Sequence, residues 1–149
     1  MNKKIIIGMI IAAIIPAAVY AGSPLFINKT INEDLPASGV SAGTLSLSGS
    51  FVGVGDGVHN AEGMASVVSL GDGSKILRFE DFKSTNGPDL YVYLATDQKA
   101  TDFVSLGPLK ANIGNQNYDI PDGTDLSKYN TALVWCKQFS VLFGHATLS

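Results

Sequence analysis

The chain carries a single cysteine, Cys136, and two histidines, His59 and His145. A lone cysteine cannot close an internal disulfide. In an exported chain it points to a reactive thiol, an intermolecular bridge or a ligand. A working thiol needs its thiolate form, some exposure and a nearby histidine or cation. Lys137 is adjacent in sequence but falls on the opposite face of a regular strand, so His59 or His145 must supply the partner from across the fold. The plain alternative is core filler, because free cysteine is among the most buried residue types. Cys136 is therefore the redox or ligand candidate, with His59 and His145 as secondary candidates.

Together with Met64, these three residues match the donor inventory of a blue-copper centre. The spacing argues against it, since no His or Met closely follows Cys136. Haem iron accepts a Cys thiolate or a His inside a large apolar pocket. Covalent haem attachment is excluded, because there is no Cys-x-x-Cys-His. Haem and copper stay open as cofactors, and no metal site or catalytic residue is assigned. No Gly-x-Ser-x-Gly elbow supports a hydrolase. Gly53-Val54-Gly55 lacks the Gly-Lys-Ser/Thr ending of a phosphate loop. Asp56, Asp72, Glu80, Asp81 and Asp89 are scattered over loops and strand ends and read as solvated, without an EF-hand pattern.

The elements that must position Cys136 are strands. Residues 133–148 are rich in β-branched and aromatic types. Alternation puts Ala132, Val134 and Cys136 on one face and Leu133, Trp135 and Lys137 on the other. Lys137-Gln138 interrupts the run with a bulge or turn. Phe139, Val141 and Phe143 then share a face, and these three with Trp135 are expected to anchor the core. Upstream, Leu45, Leu47, Gly49 and Phe51 alternate with serines. Gly63–Leu70 and Lys75–Phe82 read as strands joined by a turn at Gly71-Asp72-Gly73-Ser74. Leu90, Val92 and Leu94 point inward, while Tyr91 and Tyr93 cover a second apolar surface. Shorter strands follow at Phe103–Leu106 and Tyr118–Ile120. The expected fold is all-β: one β-sandwich or barrel-like domain of about eight short strands.

With 149 residues, 46% of them hydrophobic, the chain has material for one folded domain. The net charge of −3 offers no nucleic-acid surface. Residues 1–21 read as a signal peptide or membrane anchor. Lys3 and Lys4 precede the apolar run Ile5–Val19, and Val19-Tyr20-Ala21 is a cleavage-type sequence. An uncleaved anchor over residues 5–27 is the rival reading. Either predicts export to a secreted, periplasmic or cell-surface location, with membrane contact only through this segment. Residues 22–42 read as a flexible linker, in which Asn28-Lys29-Thr30 is a glycosylation sequon. The folded part is residues 43–149.

Several stretches in this order carry a family resemblance. They are Gly49-Ser50-Phe51, His59 with Gly63-Met64-Ala65, and Leu77-Arg78-Phe79-Glu80-Asp81-Phe82. Asn86-Gly87-Pro88-Asp89-Leu90-Tyr91-Val92-Tyr93-Leu94, Leu106-Gly107-Pro108-Leu109-Lys110 and Gly114-Asn115-Gln116-Asn117-Tyr118 follow. Trp135-Cys136-Lys137-Gln138-Phe139 through Gly144 comes last. Together they resemble the DM-thirteen (DM13) domain, an extracytoplasmic family found beside DOMON and cytochrome b-type modules and described as an electron-transfer domain. The resemblance covers residues 43–149. It implies a redox role for Cys136, as a bare thiol or as a ligand to a prosthetic group such as haem, and it matches the family's early His to His59. No partner domain is attached, so the redox partner, protein or small molecule, is expected to be separate. Such a module is closer to a redox or binding protein than to a stand-alone enzyme. A non-enzymatic binding or adhesion module, with Cys136 as filler, is the alternative.

Overall fold

Strand-forming segments separated by Gly- and Asp-rich turns close into two layers. A computed structural model describes residues 27–36 and 45–149, with scattered positions between 3 and 15. The signal or anchor expected over 1–21 lies largely outside the described residues. Among them no helix is long and apolar enough to cross a membrane. The strands are β1 (Leu45–Ser50), β2 (Val52–Gly53), β3 (Ala61–Ser69), β4 (Lys75–Ser84) and β5 (Leu90–Ala95). β6 (Phe103–Pro108), β7 (Gln116–Ile120), β8 (Thr131–Cys136) and β9 (Val141–Thr147) complete them. They form two antiparallel sheets, in the orders β1-β3-β4-β7 and β2-β9-β8-β5-β6. The fold is the expected all-β sandwich, with nine strands among the described residues rather than eight. The extra one is the two-residue β2, where the chain leaves the first sheet at Phe51 and joins the second.

The core lies between the inner faces. Ala65, Val67, Leu77 and Phe79 of the first sheet meet Val92, Leu94, Ala132, Val134 and Cys136 of the second. Phe51 sits edge-on to Phe79 and Phe82, with centroids 4.8 and 5.2 Å apart. Phe82 stays inward because the β3–β4 ladder shifts register between Glu62 and Met64. Opposite this shift Asp81 has φ 48° and Gly63 has φ 111°. A Cβ on Gly63 would lie 2.8 Å from the carbonyl oxygens of Glu80 and Asp81, so this irregularity requires glycine.

The second sheet carries its own apolar patch on its outer face. Tyr93, Ala95 and Leu133 are buried there, with Tyr91, Trp135 and Leu142 packed around them. The covering role expected for the two tyrosines is met, and Phe103 stacks on Tyr93 at 4.2 Å. Two expectations need correction. Trp135 is half-buried in this outer patch rather than in the core, because it alternates with Val134 and Cys136. Phe139 is 63% exposed, because the chain turns at 137–140 before β9 begins. Only Val141 and Phe143 of that trio join the core.

Part of the expected linker is also not a loose tether. Residues 29–33 run along the first sheet's edge: the N–H of Ile31 donates to the Ile113 carbonyl (3.0 Å) and that of Ile113 to the Lys29 carbonyl (3.1 Å). The Glu33 carboxylate takes Lys110 Nζ at 2.8 and 2.9 Å and the Asn117 N–H at 2.7 Å. No apolar period announces this strap, since backbone and charge hold it.

Candidate functional site

Cys136 is the last residue of β8, and its place follows from the alternation of that strand. With Ala132 and Val134 inward, Cys136 is inward too, at 1% exposure. Its Sγ donates to the Pro88 carbonyl at 3.0 Å. The next N–H, of Lys137, donates to the Asp89 carbonyl at 3.0 Å, so the strand end is tied to the 86–89 turn. The Lys137 ammonium lies 4.9 Å from the centre of the Tyr91 ring on the outer face. It is not the cationic partner of the thiol.

His59 reaches the same end of the sandwich from the loop before β3. That loop is folded by Asp56, which stands between Gly55 (φ 78°) and Gly57 (φ 79°). Asp56 Oδ1 accepts the N–H of Val58 (2.9 Å) and of His59 (2.7 Å). Oδ2 meets His59 Nδ1 at 2.5 Å. The His59 N–H, then its ring, then the Val58 N–H hold the Asp56 carboxyl well below the usual carboxylate range. An ionised carboxylate only accepts, so Nδ1 carries the hydrogen and the neutral ring keeps Nε2 as its bare acceptor. The ring stands edge-on to Phe143, with centroids 4.6 Å apart.

Cys136 and His59 line one cleft of about 320 Å³, with Val58, Phe139, Val141 and Phe143 and the Asn86-Gly87-Pro88 turn. Gly87 lets the Phe143 ring lie close to the turn, since a Cβ there would fall 2.5 Å from Phe143 Cζ and the ring would have to shift. Val58, 67% exposed, and Phe139, 63% exposed, form an apolar lip. A larger cleft of about 460 Å³ shares Asn86 and Gly87 but is lined by neither Cys nor His. Chemistry, not size, selects the smaller one.

The other candidates lie elsewhere. His145 pairs with Leu133 across β8–β9, on the outer face, and Gln98 Nε2 donates to its Nε2 at 2.9 Å. Partial burial lowers its pKa. Met64 stands 45% exposed on the first sheet, beside Gly63 and Glu80. The four residues of the copper inventory are therefore not assembled and do not fit such a centre. No three His, Cys, Asp or Glu side chains gather as metal ligands among the described residues. Haem ligation by Cys136 does not fit either. The thiol is covered and bonded to a carbonyl, and the cleft lies at the small end of the range for ligand sites.

By sequence Asp56 is one of several solvated carboxylates, and nothing in its residue type marks its role at His59. Its signal was the three-residue spacing to His59 inside a glycine-flanked turn. The Pro88 carbonyl had no sequence signal, since only the tertiary pairing of β5 with β8 brings it to Cys136.

No curated protein and no solved structure matches the chain. The model of the family described as electron transfer DM13 matches residues 52–148, a span that holds His59, the Asn86–Pro88 turn and Cys136, and the chain belongs to that family.

Proposed function

We propose that the domain is an extracytoplasmic electron-transfer module that works through the Cys136 thiol, with His59 beside it. The observation that carries this reading is the cleft itself: a thiol and an imidazole from distant parts of the chain line one small apolar depression. The family match supports electron transfer as the class. The basic Lys3-Lys4 followed by the apolar Ile5–Val19 supports export. The partner docks at the lip formed by Val58 and Phe139, where exposed apolar side chains mark an interaction surface. In thiol–disulfide exchange, the Sγ thiolate attacks one sulfur of the partner's disulfide. A mixed disulfide forms, the old S–S bond breaks, and the leaving thiolate takes the electron pair and then a proton.

One observation favours the second reading, a binding module with Cys136 as filler: the thiol is 1% exposed and packs with the core. A disulfide reagent, dithionitrobenzoate, separates the two. The folded chain is expected to release one equivalent of coloured thiolate in native buffer, and Cys136→Ala none. Release only after addition of urea would establish the filler reading.

A further inference from the structure

We infer that Asp56 is the positioning residue that makes His59 the proton acceptor of the Cys136 thiol, with the Pro88 carbonyl holding that thiol in its protonated resting form. The inference rests on the reading of Cys136 as a working thiol. Four contacts carry it. Asp56 takes the Nδ1 side of the ring, and Nε2 has no protein partner among the described residues. The ring is braced on Phe143, and Phe143 in turn lies against Gly87. The residue after Gly87 is Pro88, whose carbonyl accepts the thiol hydrogen. The braced imidazole and the bonded thiol are thus two sides of one assembly.

The cleft's lining contains no titratable or charged side chain besides His59 and Cys136. The proton leaving Sγ therefore has one protein acceptor there. The step moves that proton from Sγ to Nε2 and leaves a thiolate and an imidazolium, so the net charge of the pair is unchanged. The imidazolium then faces the Asp56 carboxylate through Nδ1–H, which stabilises the charged pair. A carbonyl oxygen attracts S–H and repels S⁻, so proton transfer also releases the thiol from Pro88. The base and its orienting carboxylate follow the general logic of an activated nucleophile.

The test is the rate of iodoacetamide alkylation of the full-length chain at pH 7 and pH 9.5. It uses the natural chain, Asp56→Asn, Asp56→Ser and His59→Gln. Serine keeps an oxygen for the turn's N–H groups, so it serves if the asparagine variant does not fold. Loss of the oriented base is expected to slow alkylation at pH 7 about ten-fold in each variant. At pH 9.5 hydroxide replaces the base, and the rates are expected to converge. If Asp56 only shapes the loop, its variants uncover the thiol and react faster at both pH values, which overturns the inference. Slowing by His59→Gln alone also overturns it and leaves the thiol reading standing. A natural chain inert at both pH values refutes the thiol reading itself, and this inference with it.

Discussion

Two carboxylates in this molecule each gather three hydrogen-bond contacts, and they use them differently. Glu33 takes both of its Lys110 contacts and the Asn117 N–H from across the first sheet's edge. Its donors are themselves engaged, since Lys110 Nζ also donates to the Asn117 carbonyl at 2.6 Å. Arg78 Nη1 adds a bond to the Glu33 carbonyl at 3.1 Å. Burial pushes the Glu33 carboxyl up, but the Lys110 and Asn117 bonds and the nearby charges of Lys110 and Arg78 bring it below its ordinary value. Asp56 draws its contacts only from Val58 and His59, within three residues. One of them is a ring whose second nitrogen has no protein partner among the described residues. The Glu33 network joins distant segments and ends in itself, while the Asp56 network is local and holds one nitrogen of a ring that lines a cleft. A count of hydrogen bonds would rank the two alike. What separates them is whether the last donor or acceptor is spent.

The sharpest way to break this contrast is Phe143→Ala. Phe143 is buried and braces the His59 ring, so its truncation is expected to cost about 3–5 kcal/mol in urea unfolding. It should also abolish the difference in alkylation rate between natural chain and Asp56→Asn, because the ring loses its brace. Glu33→Gln is the matching change at the strap. Its pair is partly exposed, so the expected loss is about 1 kcal/mol at neutral pH, with no change in the Cys136 reaction rate. The fold lowers the Glu33 carboxyl below 4.5, so its contribution is complete above that value and is lost as pH falls through the depressed one. An acid series of urea midpoints should therefore fall less steeply in the Glu33→Gln variant. The smallest effect on stability is expected from Phe139→Ser at the lip, within about 0.5 kcal/mol. That substitution should slow electron transfer to a docked protein partner and leave the dithionitrobenzoate rate unreduced. Equal slowing with both would show that Phe139 shapes the cleft rather than a docking surface.

The regular part of this architecture was legible because alternation is a local signal. The inward set Ala132, Val134 and Cys136, the inward set Leu90, Val92 and Leu94, and the Gly71–Ser74 turn all follow from neighbours in sequence. The errors fall where the signal is not local. Trp135 looks like a core anchor by residue type, but its parity places it on the outer face. Phe139 shares the parity of Val141 and Phe143, but the strand begins only at Val141. The strap has no apolar period to read, because its bonds go to Ile113, Asn115 and Asn117. At the site, the thiol and His59 could be named from the sequence, but not their meeting in one cleft, and not Pro88.

The two-residue strand β2 bears on the order of folding. It pairs Val52 with His145 and Gly53 with Gly144, joining the start of the domain to its end. Such a pairing closes a loop of about ninety residues, and contacts of that span are late and slow to form. The loop bearing Asp56 and His59 follows directly on β2, so it is seated against Phe143 only after the last strand has arrived. Until then the Cys136 thiol has neither its cover nor its oriented base. A chain still folding would thus pass through an interval in which its one sulfur is open to exchange with any passing disulfide, and the speed of strand closure decides how long that interval lasts.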